Sequence, residues 1–192
     1  MKIFKLFRIT AIALVLLSAS FLMGQKSMMN ENTKMVGRAA MYPSKDIISN
    51  AVNSADHITL VAAVKAAGLV ETLQGEGPFK VFAPTNTAFE KLPEGTVASL
   101  LEPGNKSTLQ AVLTYHVLAG KYNAADIVEA IRKGNGKATF TTVDGTELTA
   151  MLKGKKEQLK DVAGNISTVS ISDVNQSNGV IHVIDTVELP VM

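Results

Sequence analysis

Residues 178–190 read NGVIHVIDTVELP, and this stretch decides the fold. Asn178 and Gly179 favour a turn because both residues tolerate a positive φ. The β-branched run after them is typical of a strand, and Pro190 ends it because proline cannot donate a ladder hydrogen bond. Apolar residues occupy both faces of the run, so we predict the central strand of the domain, buried on both sides.

Two polar residues inside this strand, His182 and Asp185, need partners if the strand is buried. Side chains alternate along a strand, so His182 and Asp185 are expected on opposite faces and not in one catalytic triad. The chain also lacks the Gly-x-Ser-x-Gly motif that exposes a nucleophilic serine. These observations argue against a hydrolase, and no catalytic residue is predicted.

A second histidine, His116, follows Tyr115 near the middle of the chain. We interpret His116 and His182 as structural, neutral rings bonded to backbone groups or hydroxyls. Thr85, Asn86 and Tyr115 are the candidate polar partners.

Around these residues the chain divides into a helical part and a β part. Residues 79–83 predict one early strand, helices are predicted up to residue 133, and strands follow from residue 137. Ser44 is a candidate N-cap, Ser107 with Gln110 a candidate capping box, and Asn123 with Asp126 can cap a helix over 124–133. The pattern predicts an α+β fold with long-range pairing between the regions of residues 80 and 183.

The composition excludes several kinds of site. The 192 residues include no cysteine, which removes disulfides, thiolate nucleophiles and cysteine-based metal sites. The three histidines lack the local spacing of metal ligands, so neither a metal nor another cofactor is expected.

The first 24 residues have the pattern of a signal peptide. Lys2, Lys5 and Arg8 precede an uncharged apolar segment, and the small residues Ser20 and Gly24 offer cleavage positions. An uncleaved anchor is the alternative, but it needs about 20 apolar residues and this run is shorter. We therefore expect a secreted, extracellular or periplasmic protein without stable membrane insertion after cleavage.

The segment after it, residues 25–43, is polar and aperiodic and is predicted as a flexible arm before a domain over residues 44–190. Removal of three positive charges from the formal +2 leaves a net charge of −1. A nearly neutral chain has no electrostatic footprint for nucleic acid. Two basic clusters, residues 132–137 and 153–156, are compatible with an acidic polysaccharide or with ordinary solvated surface.

Three stretches together resemble the fasciclin-like domain: residues 77–89 (GPFKVFAPTNTAF), residues 115–117 (YHV) and residues 178–190. The resemblance covers about residues 44–190 and is strongest to small secreted bacterial proteins with one such domain. It implies a β-wedge or sandwich of about seven strands with a β-dominated core and helices packed over it. The motif residues are Phe82, Pro84, Thr85, Asn86, Tyr115, His116, Asn178, Gly179, His182 and Asp185.

The resemblance also implies a function in extracellular adhesion. In animal members integrin recognition has been placed on an Asp-Ile pair before the second motif, and the matching positions here are Asp173 and Val174. With Asn175 they are the candidate contacts for a cell-surface or matrix protein or polysaccharide. The alternative function is a carrier that holds a small apolar ligand in a cleft between sheet and helices.

Overall fold

The structure is a computed structural model that describes residues 33–190. The predicted signal peptide lies outside the described residues, as do residues 25–32 of the predicted arm. The helices are α1 (Ile47–Ala51), α2 (Ile58–Ala67), α3 (Val70–Gln74), α4 (Asn86–Glu90), α5 (Thr96–Leu100), α6 (Lys106–Tyr115) and α7 (Ala124–Lys133), with short 3-10 helices at Ala55–His57 and Pro103–Asn105.

Within residues 33–190, nine strands form a seven-stranded sheet and a separate hairpin. The strands are β1 (Lys34–Val36), β2 (Ala39–Met41), β3 (Phe79–Pro84), β4 (Val117–Ala119), β5 (Lys137–Thr141), β6 (Glu147–Lys153), β7 (Lys156–Lys160), β8 (Ile166–Gln176) and β9 (Gly179–Ile184). The hairpin is β1–β2, and the order in the large sheet is β4-β3-β9-β8-β7-β6-β5. The predicted α+β fold with about seven strands in its main sheet is confirmed.

Strand β9 is central, as its sequence predicts. It lies parallel to β3, with His182 opposite Phe82, and antiparallel to β8, with Ile181 opposite Val174. All six residues of β9 are buried. The long-range pairing between the regions of residues 80 and 183 is therefore confirmed.

Strand β8 bends the sheet. Its first part pairs with β7, for example Thr168 with Gln158, and its second part pairs with β9 through two register irregularities between Val169 and Val174. Such irregularities kink a strand and increase its twist. The kink changes the direction of the sheet, so that the loop between β5 and β6 approaches β4. In that loop the Val143 N–H donates a hydrogen bond to the Val117 carbonyl of β4 at 2.8 Å.

Two hydrophobic clusters lie on opposite faces of β3 and β9. Val81 and Ile181 face the first cluster, which α1, α2 and α6 cover. Phe82 and Ile184 face the second, which α7 and the β5–β7 strands cover. Helices therefore lie on both sides of the central strands. None of the helices within residues 33–190 has the length and apolar character needed to cross a membrane.

Residues 33–43 depart from the predicted flexible arm. They contain the β1–β2 hairpin, whose Val36 and Met41 are buried in the first cluster. Gly37 and Arg38 both have positive φ, which a two-residue hairpin loop requires. The short strands carry too few residues to show a period of two, so composition alone suggested a loop.

Local cap signals had mixed outcomes. The capping box of Asn123 and Asp126 is present at the start of α7, as predicted. The cap predicted at Ser44 is instead Asp46, which accepts a hydrogen bond from the Ser49 N–H at 2.8 Å. The capping box predicted at Ser107 is absent, because the N-cap of α6 is Asn105, two residues earlier, and it makes no side-chain cap hydrogen bond.

Candidate functional site

Asp173, the first of the predicted partner contacts, lies in the irregular part of β8. Its backbone has a φ of 52°, in the left-handed region. Its Oδ1 atom accepts a hydrogen bond from the Ala124 N–H at 2.7 Å, at the start of α7, where the helix dipole favours a negative charge. Oδ1 also lies 3.2 Å from His182 Nε2. The carboxylate is therefore anchored inward while 34% of the side chain stays exposed.

The pKa of Asp173 reflects these contacts. Partial burial raises it, but the hydrogen bond from Ala124 and the neighbouring His182 and Lys80 outweigh burial, so the pKa is lowered. Asp173 is therefore an anion at neutral pH, and His182 Nε2 donates the hydrogen bond between them.

The other two predicted contacts differ in exposure. Val174 is 1% exposed and packs in the first hydrophobic cluster, so its side chain is closed to a partner in this conformation. Asn175 is half-buried and its Nδ2 donates to the Asp173 carbonyl at 3.3 Å. Only Asp173 and Asn175 of the predicted contact segment reach the surface.

His182 has partners that the sequence did not predict. Its Nδ1 lies 3.2 Å from Glu157 Oε2 and its Nε2 lies 3.2 Å from Asp173, so it contacts two carboxylates and none of the predicted backbone or hydroxyl groups. Glu157 comes from β7, a strand that the sequence analysis missed because its KEQLK sequence lacks β-branched residues. Asp185 lies elsewhere and accepts a hydrogen bond from the Thr168 N–H at 2.8 Å, so the two residues form no common site.

Lys80 completes a buried polar cluster with Glu157, Asp173 and His182. Its side chain is fully buried, with Nζ 5.3 Å from the Phe82 ring centroid and without a hydrogen-bond partner among the described residues. Burial lowers the pKa of Lys80 to about 7, although the Coulombic fields of Glu157 and Asp173 act in the opposite direction. A lysine inside the apolar β3 sequence was the signal that sequence reasoning overlooked.

His116 joins α6 to the C-terminal segment. Its Nδ1 contacts the Val112 carbonyl at 2.7 Å and its Nε2 accepts from the Glu188 N–H at 3.0 Å. Because a carbonyl only accepts, Nδ1 carries the proton and the ring is neutral. Burial lowers the pKa of His116 to about 4.

Glu188 and Tyr115 extend this second polar region. The Glu188 carboxyl is fully buried and accepts a hydrogen bond from the Ser167 hydroxyl, and burial raises its pKa to about 7. The Tyr115 hydroxyl donates to the Glu147 carbonyl at 2.8 Å and accepts from the Val162 N–H at 3.3 Å. Burial raises the pKa of Tyr115 to about 12.

The first motif, around residue 85, caps α4 and forms hydrogen bonds to the segment around residues 55–59. Thr85 follows the end of β3 at Pro84 and caps α4 by accepting from the Ala88 N–H at 3.3 Å. Asn86 accepts from the Thr59 N–H at 3.0 Å and donates to the Ala55 carbonyl at 2.8 Å. Neither Thr85 nor Asn86 is hydrogen-bonded to a histidine ring, and the Tyr115 hydroxyl bonds Glu147 and Val162 instead, so these three predicted partners were wrong. The predicted bonding of a neutral ring to backbone groups is found at His116.

The second motif begins with a buried asparagine. Asn178 accepts from the Ile47 N–H at 3.0 Å and donates to the carbonyls of Leu73 and Gly75 at 2.8 and 2.9 Å. A Cβ atom at Gly179 would lie 2.1 Å from the Phe79 carbonyl oxygen, so only glycine fits there. These two residues hold α1 and α3 against the start of β9.

An apolar cavity of about 80 Å³ lies between the helices and the sheet. Its lining includes Met41, Ile48, Leu60, Val64, Leu113 and Val174. This is the position at which the alternative function placed a small apolar ligand. Within residues 33–190 no group of three or more potential ligand side chains is arranged to hold a metal ion.

The arrangement of the sheet and the helices over it defines a domain of the fasciclin type. The family model of the Fasciclin domain matches residues 55–190. The chain therefore belongs to the Fasciclin domain family, which confirms the resemblance seen in the sequence motifs.

Two relatives and one solved structure illustrate the range of the family. The protein sll1483 of Synechocystis sp. is 46% identical over 162 residues, 84% of this chain and 83% of that protein. Periostin of Homo sapiens is 35% identical over 129 residues, 67% of this chain but 14% of periostin. A FAS1 domain pair from the insect cell adhesion molecule Fasciclin I shares the fold, with a TM-score of 0.66, 16% identity, and coverage of 77% of this chain and 51% of that chain.

Proposed function

We propose that the chain is a secreted, non-enzymatic interaction module that attaches to a protein or polysaccharide of a cell surface or matrix. The observation that carries this proposal is the position of the groups with large pKa shifts. Lys80, Tyr115, His116 and Glu188 are all buried within the fold. A substrate in solution does not reach these buried side chains, which supports a structural role for them and leaves the exposed surface for contact with a partner.

Two further points support an extracellular role. The solved structure with the same fold comes from a cell adhesion molecule. The N-terminal segment has the basic, apolar and small-residue order of an export signal, which is consistent with a secreted or periplasmic location.

The test is saturable binding of the purified protein to an array of matrix proteins and polysaccharides. We expect at least one ligand of either class to bind, and no turnover on a panel of esterase and glycosidase substrates. An array without any saturable ligand, or turnover that a His116→Gln variant abolishes, contradicts the proposal.

Variants of Asp173 test the predicted contact segment. Asp173→Ala removes both the exposed charge and the anchor to Ala124, whereas Asp173→Asn removes the charge and keeps an acceptor oxygen. If Asp173 contacts the partner, Asp173→Asn weakens binding although thermal melting shows that the variant is folded at the assay temperature. Full binding by Asp173→Asn removes this residue from the contact surface, and Asp56→Asn, at an exposed position on another part of the chain, is the matched control.

The cavity favours one alternative, a carrier of a small apolar ligand. An apolar cavity of about 150 Å³ in another protein binds benzene, so a cavity of about 80 Å³ admits only a smaller ligand unless its walls move. Native mass spectrometry of the protein purified from its host would detect the added mass. Val64→Leu, which fills the cavity, would then reduce the loaded fraction, and Ala66→Leu on the exposed face of α2 would leave it unchanged.

A further inference from the structure

The sheet brings two separate basic clusters to one end of the molecule. Lys137 begins β5, Lys153 ends β6 and Lys156 begins β7, and these strands are antiparallel neighbours. Lys137 lies opposite Met151, two residues from Lys153. Because neighbouring strands are about 4.8 Å apart and a strand rises about 3.4 Å per residue, the three lysines lie at the same end of the sheet, within about 12 Å of one another.

The C-terminus of α7 adds two more cations at this edge. Arg132 and Lys133 are the last residues of α7, and the Lys137 N–H donates to the Gly134 carbonyl at 3.4 Å, which ties the helix end to the start of β5. We call the whole set the basic end. Its members are Arg132, Lys133, Lys137, Lys153, Lys155 and Lys156, all exposed.

Few acidic groups balance these charges. Lys133 pairs with Glu129 at 2.7 Å, and the other five have no carboxylate within 4.0 Å in the part of the chain that the structure describes. Glu157, the neighbour of Lys156 in sequence, points to the opposite face and is buried beside His182. Positive charge therefore accumulates at one end of a chain whose formal net charge is only +2.

The strand register places two lysines opposite each other, and a bound anion would offset the repulsion between them. Lys153 and Lys156 are direct cross-strand partners beside the Gly154 turn. Like charges directly opposite each other destabilise a sheet. The helix dipole accounts for the cations at the end of α7, but it does not account for a lysine pair on strands.

The chemistry around the basic end favours a polysaccharide over a lipid surface. The outward face of β5–β8 presents Thr139, Thr149, Gln158 and Thr168, whose hydroxyl and amide groups suit sugar hydroxyls. Among the described residues the exposed large apolar side chains lie elsewhere, for example Ile166 at the other end of β7 and β8. An insertion into a membrane would need such side chains at the basic end.

We propose that the basic end docks an acidic polysaccharide that carries repeated carboxylate or sulfate groups. This inference rests on the proposed function, because it names the partner class for an interaction module. The lysines attract the negative charges of the polysaccharide, and the threonine-rich face beside them supplies hydrogen bonds that orient the polysaccharide.

The experiment compares two double variants that each remove two positive charges. Lys153→Gln with Lys156→Gln changes the basic end, and Lys65→Gln with Lys106→Gln changes two exposed lysines on α2 and α6, on the other side of the central strands. Binding to immobilised heparin and hyaluronate is measured at low and at physiological salt, with neutral dextran as a control. Thermal melting of both variants establishes that they are folded.

We expect the wild-type chain to bind at least one acidic polysaccharide and not dextran, with affinity that falls as salt increases. The basic-end double variant should bind about tenfold more weakly, and the control pair should bind like the wild type. Equal losses in both pairs, or wild-type binding to neither polyanion, would overturn the inference. Tighter binding to phosphatidylglycerol vesicles or to single-stranded DNA than to polysaccharide would overturn it as well.

Failure of this inference is distinguishable from failure of the proposed function. A protein that binds an uncharged glycan or a matrix protein on the array, but no acidic polysaccharide, keeps the proposed function and loses this partner class.

Discussion

The Asp173 carboxylate accepts a hydrogen bond from the Ala124 N–H at 2.7 Å across 49 residues of sequence. This bond connects the kinked part of β8 to the start of α7. The same oxygen meets His182 of β9, so one carboxylate ties together two strands and a helix. A residue that sequence comparison suggests for partner contact therefore has a structural role as well.

Asp173→Ala should lower the free energy of unfolding by about 1–2 kcal/mol, because an acceptor at a helix N-terminus is lost. Asp173→Asn should cost less, since asparagine keeps an acceptor oxygen and tolerates the positive φ of this position. Urea denaturation of the two variants measures the difference. Equal stability of the alanine and asparagine variants would mean that the bond to Ala124 contributes little.

Glu188→Gln should stabilise the protein at pH 8 by roughly 1–3 kcal/mol and have a smaller effect at pH 5. The folded pKa of Glu188 is about 7, above the ordinary value of 4.5, so the folded state holds the proton more tightly. Its contribution to stability therefore decreases as the pH rises from about 4.5 to 7. Urea denaturation at both pH values tests this, with Glu102→Gln at an exposed position as the control. The same effect at pH 5 and pH 8 would contradict it.

His116→Gln should destabilise the protein at pH 7 by about 1–3 kcal/mol, because two buried hydrogen bonds to backbone groups are lost or weakened. The folded pKa of about 4 lies below the ordinary 6.5, so the wild type loses stability as the pH falls from 6.5 to 4. Glutamine does not titrate there, and the gap between the two proteins should narrow. Thermal melting at pH 7 and pH 4 measures the difference in stability between the two proteins. A difference that grows at pH 4 would contradict the conclusion that the His116 ring is neutral.

Gly179→Ala should destabilise the protein by about 3 kcal/mol or prevent folding, because the new Cβ atom would lie 2.1 Å from the Phe79 carbonyl oxygen. Gly104→Ala is the matched control, since nothing lies within 4 Å of its Cβ position and its φ is not positive. Circular dichroism and thermal melting of both variants measure the effect. Similar melting temperatures would contradict the close packing of β3 against β9.

Local signals predicted much of the framework. The Asn-Gly turn and the β-branched run placed β9, and the capping box of Asn123 and Asp126 placed the start of α7. Both signals act within a few residues, so the sequence alone displays them. The failures at Ser107 and in residues 33–43 come from weak local signals: α6 starts at Lys106 without a side-chain cap, and β1 and β2 are three residues each, too short to show a period of two.

The sequence by itself determined the central strand, the α+β class and the family, because turn chemistry, side-chain alternation and the motifs are properties of short segments. Only the tertiary structure decided that Glu157 lies beside His182, that Val174 is closed to a partner, and that the lysines near residues 137 and 155 share one edge. Each of these contacts joins residues that strand register or the kink in β8 brings together. A shift of register by one residue turns a side chain to the other face, so the pairing of distant strands had to be known first.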